Sequence, residues 1–262
     1  RGLGDVYKRQ VLDRLTDFTI DNKMIISCTK GINENPFMTM SEAIEKHFNN
    51  SSIKVGVLSG PNLAKEIADE KVAGTVIASK HTDLCHQARE ILSSSTFKIY
   101  TSDDIKGIEL AGALKNIYAI ISGYCHSLDV GENAIGLILT RSMAEMSNFA
   151  VHKGANPITF LGLAGMGDLV ATCFSKLSRN YQFGWAIGEG LDIEAAKYKV
   201  GQVAEGLNTI RIIHNEISSS EIKMPLVSGM HEILFNSGSK ELLLEQIINS
   251  DIYVDVNFDV ES

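Results

Sequence analysis

The sequence predicts an α/β protein in which a partial, doubly wound sheet is followed by an all-helical C-terminal domain. Short β-rich runs alternate with helical segments over the first part of the chain, which is typical of a largely parallel sheet. From Lys106 to Phe235 the pattern changes to long helical runs broken by glycine and aspartate. The chain has 262 residues, enough for two domains, and the boundary is expected between Ser102 and Lys106.

Each element follows from its own residue pattern. Runs of β-branched and aromatic residues predict strands at Lys23–Cys28, Ile53–Leu58, Gly74–Ala78 and Phe97–Tyr100. Apolar residues at helical spacing predict helices at Met40–His47, Leu84–Leu92, Ile108–Ser127, Asn133–Gly154, Ser178–Gly188, Glu205–Ser218 and after Pro225. Residues 1–10 lack hydrophobic periodicity, so we expect them to be a leader that is foreign to the natural protein.

Composition argues against several classes of function. The formal net charge of −8 disfavours broad binding to nucleic acid or to an acidic membrane surface, because both need a concentrated excess of Lys and Arg. No apolar run reaches the roughly 18 to 20 residues that span a bilayer, and none forms a signal peptide. The four cysteines form no CxxC pair and have no histidine at ligand spacing, so neither a disulfide framework nor a zinc site is expected. A reducing, cytoplasmic location fits best.

Two loops are predicted to meet at the carboxyl edge of the sheet. Gly60, Pro61 and Asn62 directly follow a strand and open a helix, whose unpaired N–H groups attract anions. Lys30 follows the preceding strand and would project from the same edge, where open α/β sheets bind their ligands. Taken alone, Gly60 to Asn62 could also form an ordinary strand-to-helix turn. Lys30 alone could be a solvated loop lysine.

The helix predicted from Ile108 carries two polar residues within an apolar run. Lys115 and Asn116 interrupt the segment from Leu110 to Ile121. A buried lysine is costly unless it has a partner or a chemical task. The alternative is a lysine that extends its stem along the helix and places its amine at the surface.

Two further polar groups lie in the helical domain. Asp168 ends a tight glycine turn, where it is either a helix cap or a site carboxylate. Ser178, Arg179 and Asn180 then combine a hydroxyl, a planar guanidinium and an amide at one helix start. Such a triplet suits a phosphate group, which arginine binds with two hydrogen bonds. The alternative is a serine cap followed by two solvated polar residues.

In this order and spacing, six fragments resemble the NAD(P)-dependent glycerol-3-phosphate dehydrogenase family over about Val11 to Asn236. They are Thr29–Gly31, Ser59–Glu66, Gly107–Asn116, Gly162–Leu169, Leu177–Asn180 and Val203–Gly206. The resemblance implies a partial, Rossmann-like dinucleotide-binding domain over residues 1–103. It also implies a helical substrate-binding and catalytic domain over residues 104–262.

The resemblance implies roles for individual residues. Lys115 would be the proton donor and acceptor and would contact the substrate, while Lys30 would contact both substrate and cofactor. The other substrate-binding positions that it implies are Gly60, Asn62, Asp168, Ser178, Arg179 and Asn180. The positions that it implies for NAD or NADP are Ala64, Arg179, Val203 and Glu205, and it implies no metal. Asn62 departs from the serine that is common in bacterial members, although an amide also hydrogen-bonds a substrate hydroxyl.

The implied reaction is reversible hydride transfer between the nicotinamide and C2 of glycerol 3-phosphate or dihydroxyacetone phosphate. It would supply glycerol phosphate for phospholipid synthesis. Lys115 would stabilise the charge that grows on the ketone oxygen and deliver the proton, and a nearby Lys30 cation would lower the pKa of Lys115. The expected partner is therefore a small phosphorylated substrate. A homodimer built on the helical domain is compatible with catalysis, and periodicity does not decide it.

One departure from the family pattern concerns the cofactor. The family begins with a glycine-rich Gly-x-Gly-x-x-Gly or Ala loop, and Gly2 and Gly4 do not qualify because no strand precedes them. We therefore expect a further mononucleotide-binding half upstream of Val11, and the choice between NAD and NADP is not fixed by this sequence. Two other functions stay open. One is a catalytically silent binding or regulatory fragment, and the other is a related two-domain dehydrogenase acting on another small hydroxy substrate.

Overall fold

A computed structural model describes residues 4–16, 18, 21–49, 52–201, 204–239, 241–249 and 255, with the backbone alone for residues 4–9. The elements of its first part are the helices α1 (Gly4–Leu15), α2 (Met40–His47), α3 (Ala64–Ala68) and α4 (Thr82–Leu92) and the strands β1 (Met24–Ser27), β2 (Lys54–Ser59), β3 (Ala73–Ser79) and β4 (Phe97–Ser102). All four strands were predicted. Helix α1 crosses the point where the leader was expected to end, and the foreign origin of residues 1–10 stays a prediction.

The four strands form one sheet in the order β1-β2-β3-β4. The pairs β1–β2 and β3–β4 are parallel, as expected, but β2 and β3 pair antiparallel. Two of the three strand pairs thus agree with the expected largely parallel sheet, and the central pair makes the sheet mixed. A parallel return needs a crossover that packs on the sheet, usually a helix. The five-residue helix α3 between β2 and β3 has no buried residue, so the chain turns back beside β2 instead.

Helices cover both faces of the sheet, as the predicted doubly wound class requires. On one face, Ile77 and Ile99 pack against Leu84 and Ala88 of α4. On the other face, Val57, Val76 and Ala78 pack against the start of the next helix, with Ile105 and Ile108. The sheet therefore shares its second face with the helical domain, and this contact sets the position of that domain relative to the strand ends.

The second part is helical throughout its described residues. Its α-helices are α5 (Ile105–Ser127), α6 (Glu132–His152), α7 (Asp168–Cys173), α8 (Arg179–Gly188), α9 (Ile193–Val200), α10 (Glu205–Ser218), α11 (Pro225–Phe235) and α12 (Leu242–Ile248). Helix α5 is buried on all sides from Gly107 to Cys125, as a helix that is apolar around its whole circumference must be. The other helices form the shell around it. Within the described part of the chain, no helix is long and apolar enough to cross a membrane.

Small residues allow α8 to lie directly against α5. A Cβ atom added at Gly184 would overlap the backbone carbonyl of Ile120, and one added at Gly123 would overlap the carbonyl of Tyr181. Only glycine permits this separation between the two helices. The close approach brings the start of α8, which carries Ser178, Arg179 and Asn180, beside the middle of α5.

An irregular segment leads into α7. A 3-10 helix over Pro157–Leu161 is followed by a π-helical turn over Leu163–Gly167, in place of the simple glycine turn that was expected. A Cβ atom at Gly165 would overlap the backbone of Phe160, so glycine is required there. Short π-helical turns are frequent at functional sites. This one ends at Gly167, directly before Asp168, whose carboxylate faces Lys115 of α5.

Candidate active site

Three distant parts of the chain meet at the carboxylate of Asp168. Lys115 Nζ donates to Asp168 Oδ1, and Lys30 Nζ donates to Asp168 Oδ2 at 2.6 Å. Lys30 lies in the loop after β1, Lys115 in the middle of α5, and Asp168 at the first residue of α7. The side chain of Asp168 is 1% exposed and that of Lys115 is 8% exposed. One buried carboxylate thus neutralises one of two positive charges that lie side by side.

This geometry decides between the alternatives for these residues. Lys30 is 20% exposed and ion-paired, so it is not a solvated loop lysine. Lys115 does not place its amine at the surface, since the amine is bound by Asp168 and by Thr172 Oγ1 at 2.7 Å. The side chain of Asp168 does not cap a helix, because it accepts from the two lysines. The structure therefore brings these three residues together in one site, although the sequence around each of them was also compatible with a role outside a site.

The electrostatics of the site favour proton exchange at Lys115. Burial and the adjacent Lys30 cation lower the pKa of Lys115 from 10.5 to about 8, and Asp168 opposes them. The positive charge of Lys30 was the expected cause of the lowered pKa, but burial of the Lys115 amine contributes more. An amine with a pKa near 8 is charged in most molecules at neutral pH and also releases its proton readily. That property suits a group that acts as acid in one direction and as base in the other.

The loop after β2 supplies a second side of the site. The carbonyl oxygen of Gly60 accepts from Lys30 Nζ at 2.9 Å, which confirms that the two loops meet. A Cβ atom at Gly60 would lie 3.0 Å from Thr75 Cα, so glycine allows the loop to pack on β3. Asn62 Nδ2 donates to Thr75 Oγ1 at 2.9 Å, which leaves the amide oxygen of Asn62 aimed away from this bond.

Two buried side-chain oxygens at this edge have no hydrogen-bond partner among the described residues. They are Asn62 Oδ1 and Ser59 Oγ. Ser59 Oγ would lie 2.5 Å from a Cβ atom at Gly112 of α5, so the glycine makes room for the hydroxyl between β2 and α5. Buried polar atoms in proteins are nearly always paired. Unpaired acceptors beside Lys30 fit a bound molecule that carries hydroxyl or amide donors, such as a polyol or a nicotinamide.

The residues at the start of α8 have different surroundings. Ser178 is the N-cap and accepts from the amide of Tyr181 at 3.3 Å, so the capping alternative is correct for this residue. Asn180 is buried, so the solvated alternative is wrong for it. Its Nδ2 donates to Asn116 Oδ1 at 3.0 Å, and its Oδ1 accepts from the amide of Gly206 at 3.0 Å. Asn180 thereby joins α5, α8 and α10.

The remaining predicted positions lie around this frame. Arg179 is half-buried at the first residue of α8, directly before Asn180. Glu205 is half-buried at the first residue of α10, directly before Gly206. Ala64 is exposed at the first residue of α3, two positions after Asn62. Val203 lies outside the described residues, so its predicted contact with the cofactor stays a prediction.

The sequence prediction gave no site role to Thr172 or Ser59, and it singled out Asn116 beside Lys115 without assigning it a contact. Thr172 follows Asp168 by one helical turn of α7, and residues at this spacing lie on one face. A search for polar residues one turn from Asp168 would have found it. Ser59 and Asn116 adjoin predicted residues, but only the packing of α5 against β2 and α8 shows that their polar atoms face the site.

Solved structures with the same fold are dehydrogenases. The crystal structure of glycerol-3-phosphate dehydrogenase from Coxiella burnetii superposes with a TM-score of 0.84 at 32% identity, covering 92% of this chain and 73% of that one. The enzyme from Saccharomyces cerevisiae shares the fold, with a TM-score of 0.82 at 24% identity over 93% of this chain and 73% of that one. The sheet, the helical part and this similarity indicate a dehydrogenase with a Rossmann-like part followed by a helical part.

Sequence comparison identifies the family. The model of the NAD-dependent glycerol-3-phosphate dehydrogenase N-terminus matches residues 5–85, and that of its C-terminus matches residues 104–245. Glycerol-3-phosphate dehydrogenase [NAD(P)+] of Pseudomonas syringae pv. tomato is 47% identical over 91% of this chain and 70% of its own length. That of Alcanivorax borkumensis is 45% identical over 95% of this chain and 72% of its own. The chain belongs to the NAD-dependent glycerol-3-phosphate dehydrogenase family.

Proposed function

We propose that this chain catalyses the reversible, NAD(P)-dependent interconversion of sn-glycerol 3-phosphate and dihydroxyacetone phosphate. The observation that carries the proposal is the buried Lys115 amine, held by Asp168 and Thr172 with its pKa lowered to about 8. When bound, the nicotinamide supplies or accepts the hydride. The chain must then place the reacting carbon, bind the phosphate and move one proton at the C2 oxygen.

Lys115 moves that proton. During ketone reduction negative charge grows on the C2 oxygen, and the Lys115 ammonium group stabilises that charge and donates a proton to it. During alcohol oxidation the neutral amine takes the proton from the C2 hydroxyl. Asp168 and Thr172 hold the amine in place by hydrogen bonds. Because Asp168 also binds Lys30, it fixes the second cation beside the first.

The start of α8 binds the phosphate group. Arg179 supplies a charged, planar donor. Ser178 uses its oxygen to accept from Tyr181, so its O–H remains available to donate to a phosphate oxygen. Asn180 uses one N–H on Asn116 and keeps the second. Binding the remote phosphate positions C2 for reaction, which lowers the barrier by orientation.

The loop after β2 holds the remainder of the substrate and the reacting end of the cofactor. Asn62 Oδ1 and Ser59 Oγ are suited to accept from a glycerol hydroxyl or from the nicotinamide amide. Lys30 links this loop to Asp168, because its Nζ donates both to the Gly60 carbonyl and to the Asp168 carboxylate. Ala64, Glu205 and Val203 are proposed to contact the dinucleotide further along. No Gly-x-Gly-x-x-Gly or Ala loop for the pyrophosphate occurs in the 262 residues. We propose that this chain supplies the substrate-binding and proton-transfer groups.

Substitution of Lys115 tests the proposed chemistry. Lys115→Met should lower kcat at least about 100-fold, because it removes the acid and base, while NADH affinity measured by fluorescence stays within about twofold. Lys197→Met, on an exposed side chain of α9, is the matched control and should leave kcat unchanged. Near-normal turnover of Lys115→Met would remove this lysine from the proton transfer.

Substitution of Arg179 tests the substrate class. Arg179→Ala should lower kcat/KM for glycerol 3-phosphate about 100-fold or more and reduce the preference for this substrate over glycerol, since a charge-assisted bidentate contact is lost. An unchanged preference would contradict the phosphate role and favour a dehydrogenase for another small hydroxy substrate. A chain that binds glycerol 3-phosphate but never turns it over with NADH or NADPH would instead be the silent binding protein.

Three finer expectations accompany this function. The product is proposed to feed phospholipid synthesis, the location to be cytoplasmic and the assembly to be a homodimer. The family's chemistry supports the first, and the widely spaced cysteines, described as free thiols, support a reducing location. Sedimentation velocity tests the homodimer, and cell fractionation tests the location.

A further inference from the structure

Two histidines outside the cluster of Lys30, Lys115 and Asp168 stack on each other where α10 packs against α11. The rings of His214 and His231 are parallel within 5°, with their centroids 3.6 Å apart. Glu232 follows on α11, and its Oε1 lies 3.8 Å from His231 Nδ1. One donor atom from each of the three side chains lies within 4.8 Å of the other two. Two imidazoles and a carboxylate from two helices thus converge on one small volume.

The surroundings of His231 favour its neutral form. Burial, and then the proximity of His214, lower the pKa of His231, and Glu232 opposes them only in part. Two protonated rings at stacking distance would repel each other. A neutral imidazole presents a nitrogen lone pair, which is the form that binds metal ions. His231 Nδ1 is also buried and makes no hydrogen bond to any described residue.

The carboxylate of Glu232 is held in position by Asn236, one helical turn further along the chain. Asn236 Nδ2 lies 3.0 Å from Oε1 and 3.1 Å from Oε2 of Glu232. An amide donor behind a ligating carboxylate is the arrangement that orients ligands in metal sites. Each carboxylate oxygen retains a lone pair directed elsewhere.

We propose that His214, His231 and Glu232 bind one divalent transition-metal ion, with Zn²⁺ the best fit. Two imidazole nitrogens and one carboxylate oxygen suit Zn²⁺, with water as the fourth ligand, whereas Mg²⁺ and Ca²⁺ prefer oxygen ligands. Parallel rings cannot both aim a lone pair at one ion, so at least one ring must rotate when the ion binds. The ion would clamp α10 to α11 and stabilise the helical domain. Sequence reasoning expected no zinc site because the ligands lie on separate helices without a spacing motif.

Metal titration of the whole chain tests the proposal. After treatment with a chelator, the wild-type protein should bind one Zn²⁺ per chain in equilibrium dialysis. A hundredfold excess of Zn²⁺ over the dissociation constant should raise Tm by about 5 °C. Co²⁺ should give visible absorption bands of a low-symmetry site. Absence of stoichiometric binding by the wild type would overturn the proposal and leave the histidines as a packing pair.

Variants locate the site. His214→Gln and His231→Gln should each weaken Zn²⁺ binding at least about tenfold and reduce the Tm rise at the same Zn²⁺ concentration to about half or less, while Asn236→Ala should weaken binding less. His152→Gln is the matched control, because His152 is exposed on α6 and its Nδ1 is bonded to the Asn148 carbonyl. Circular dichroism of the metal-free variants checks that they fold. Binding that survives both histidine substitutions, or that is lost with His152→Gln, would place the ion elsewhere and overturn the proposal.

Discussion

Replacing Asp168 by asparagine tests whether one carboxylate holds both site lysines. Asparagine keeps the shape but removes the charge, and it leaves Lys30 and Lys115 as neighbouring cations without a counter-charge. Breaking a buried ion pair by removing one partner costs about 3 to 5 kcal/mol. Because Lys30 is 20% exposed and can turn toward water, we expect the lower end of that range, about 3 kcal/mol at pH 7.

The pH dependence of this cost has a defined sign. Asp168 raises the pKa of Lys115 against burial, so in Asp168→Asn that pKa falls below about 8. Where the folded amine is neutral and the unfolded amine, with a pKa near 10.5, still holds its proton, stability increases with pH. This gain starts near pH 8 in the wild type and at lower pH in the variant. The free-energy cost of the substitution therefore shrinks between pH 6 and pH 8.

Urea unfolding followed by circular dichroism at pH 6, 7 and 8 measures both effects. Glu194→Gln is the control, because it breaks the ion pair between Lys197 and Glu194, whose glutamate side chain is 82% exposed. Such a surface pair contributes less than about 1 kcal/mol. If Asp168→Asn cost no more than this control, or if its cost grew between pH 6 and pH 8, the reasoning about the shared carboxylate would be refuted.

Two other predictions concern the helical core. Burial raises the pKa of Glu145 to about 8 from 4.5, so the folded state holds a proton that the unfolded state has released, and stability falls as the pH rises between these values. Glu145→Gln, which keeps a partner for Tyr118, should remove that slope in urea unfolding, and a persisting slope would assign it to another group. Gly184→Ala should lower the free energy of unfolding by at least about 3 kcal/mol, because the added Cβ atom would overlap the Ile120 carbonyl. Gly136→Ala is the control: its Cβ atom meets no atom within 4 Å, so it should stabilise the protein by about 0.5 kcal/mol. Similar unfolding midpoints for the two variants would contradict the close packing of α5 and α8.

Local patterns predicted much of the secondary structure. Helices α2 and α10 have the predicted bounds, because each combines an amphipathic stripe with a clear end. Helix α9 was not predicted, although Asp192 caps its start and Gly201 ends it in the left-handed conformation. Its only buried residue is Ala196, so it has no apolar stripe to reveal it. The residues that begin and end a helix were therefore not enough to predict it without a hydrophobic repeat between them.

Long-range arrangement was less accessible. The antiparallel β2–β3 pair arises because α3 does not pack on the sheet. The residue pattern within a strand does not reveal this. The resemblance to the family placed Lys30, Lys115 and Asp168 in one site, but their shared hydrogen bonds depend on the π-helical turn that directs Asp168 toward α5. Asn180 was assigned to phosphate from its residue type, and its link between three helices emerged only from packing.

The central claim is that Lys115, held on the shared Asp168 carboxylate, moves the proton of the reaction. The most direct test is the pH profile of kcat/KM for glycerol 3-phosphate oxidation at saturating NAD⁺ or NADP⁺, from pH 6 to 10, in the wild type and in Lys115→Met. The wild-type rate should rise with pH through a group whose pKa is about 8, since oxidation needs the neutral amine. The variant should lose both the rate and this dependence on pH. A variant that keeps the same rising profile at a comparable rate would contradict the claim.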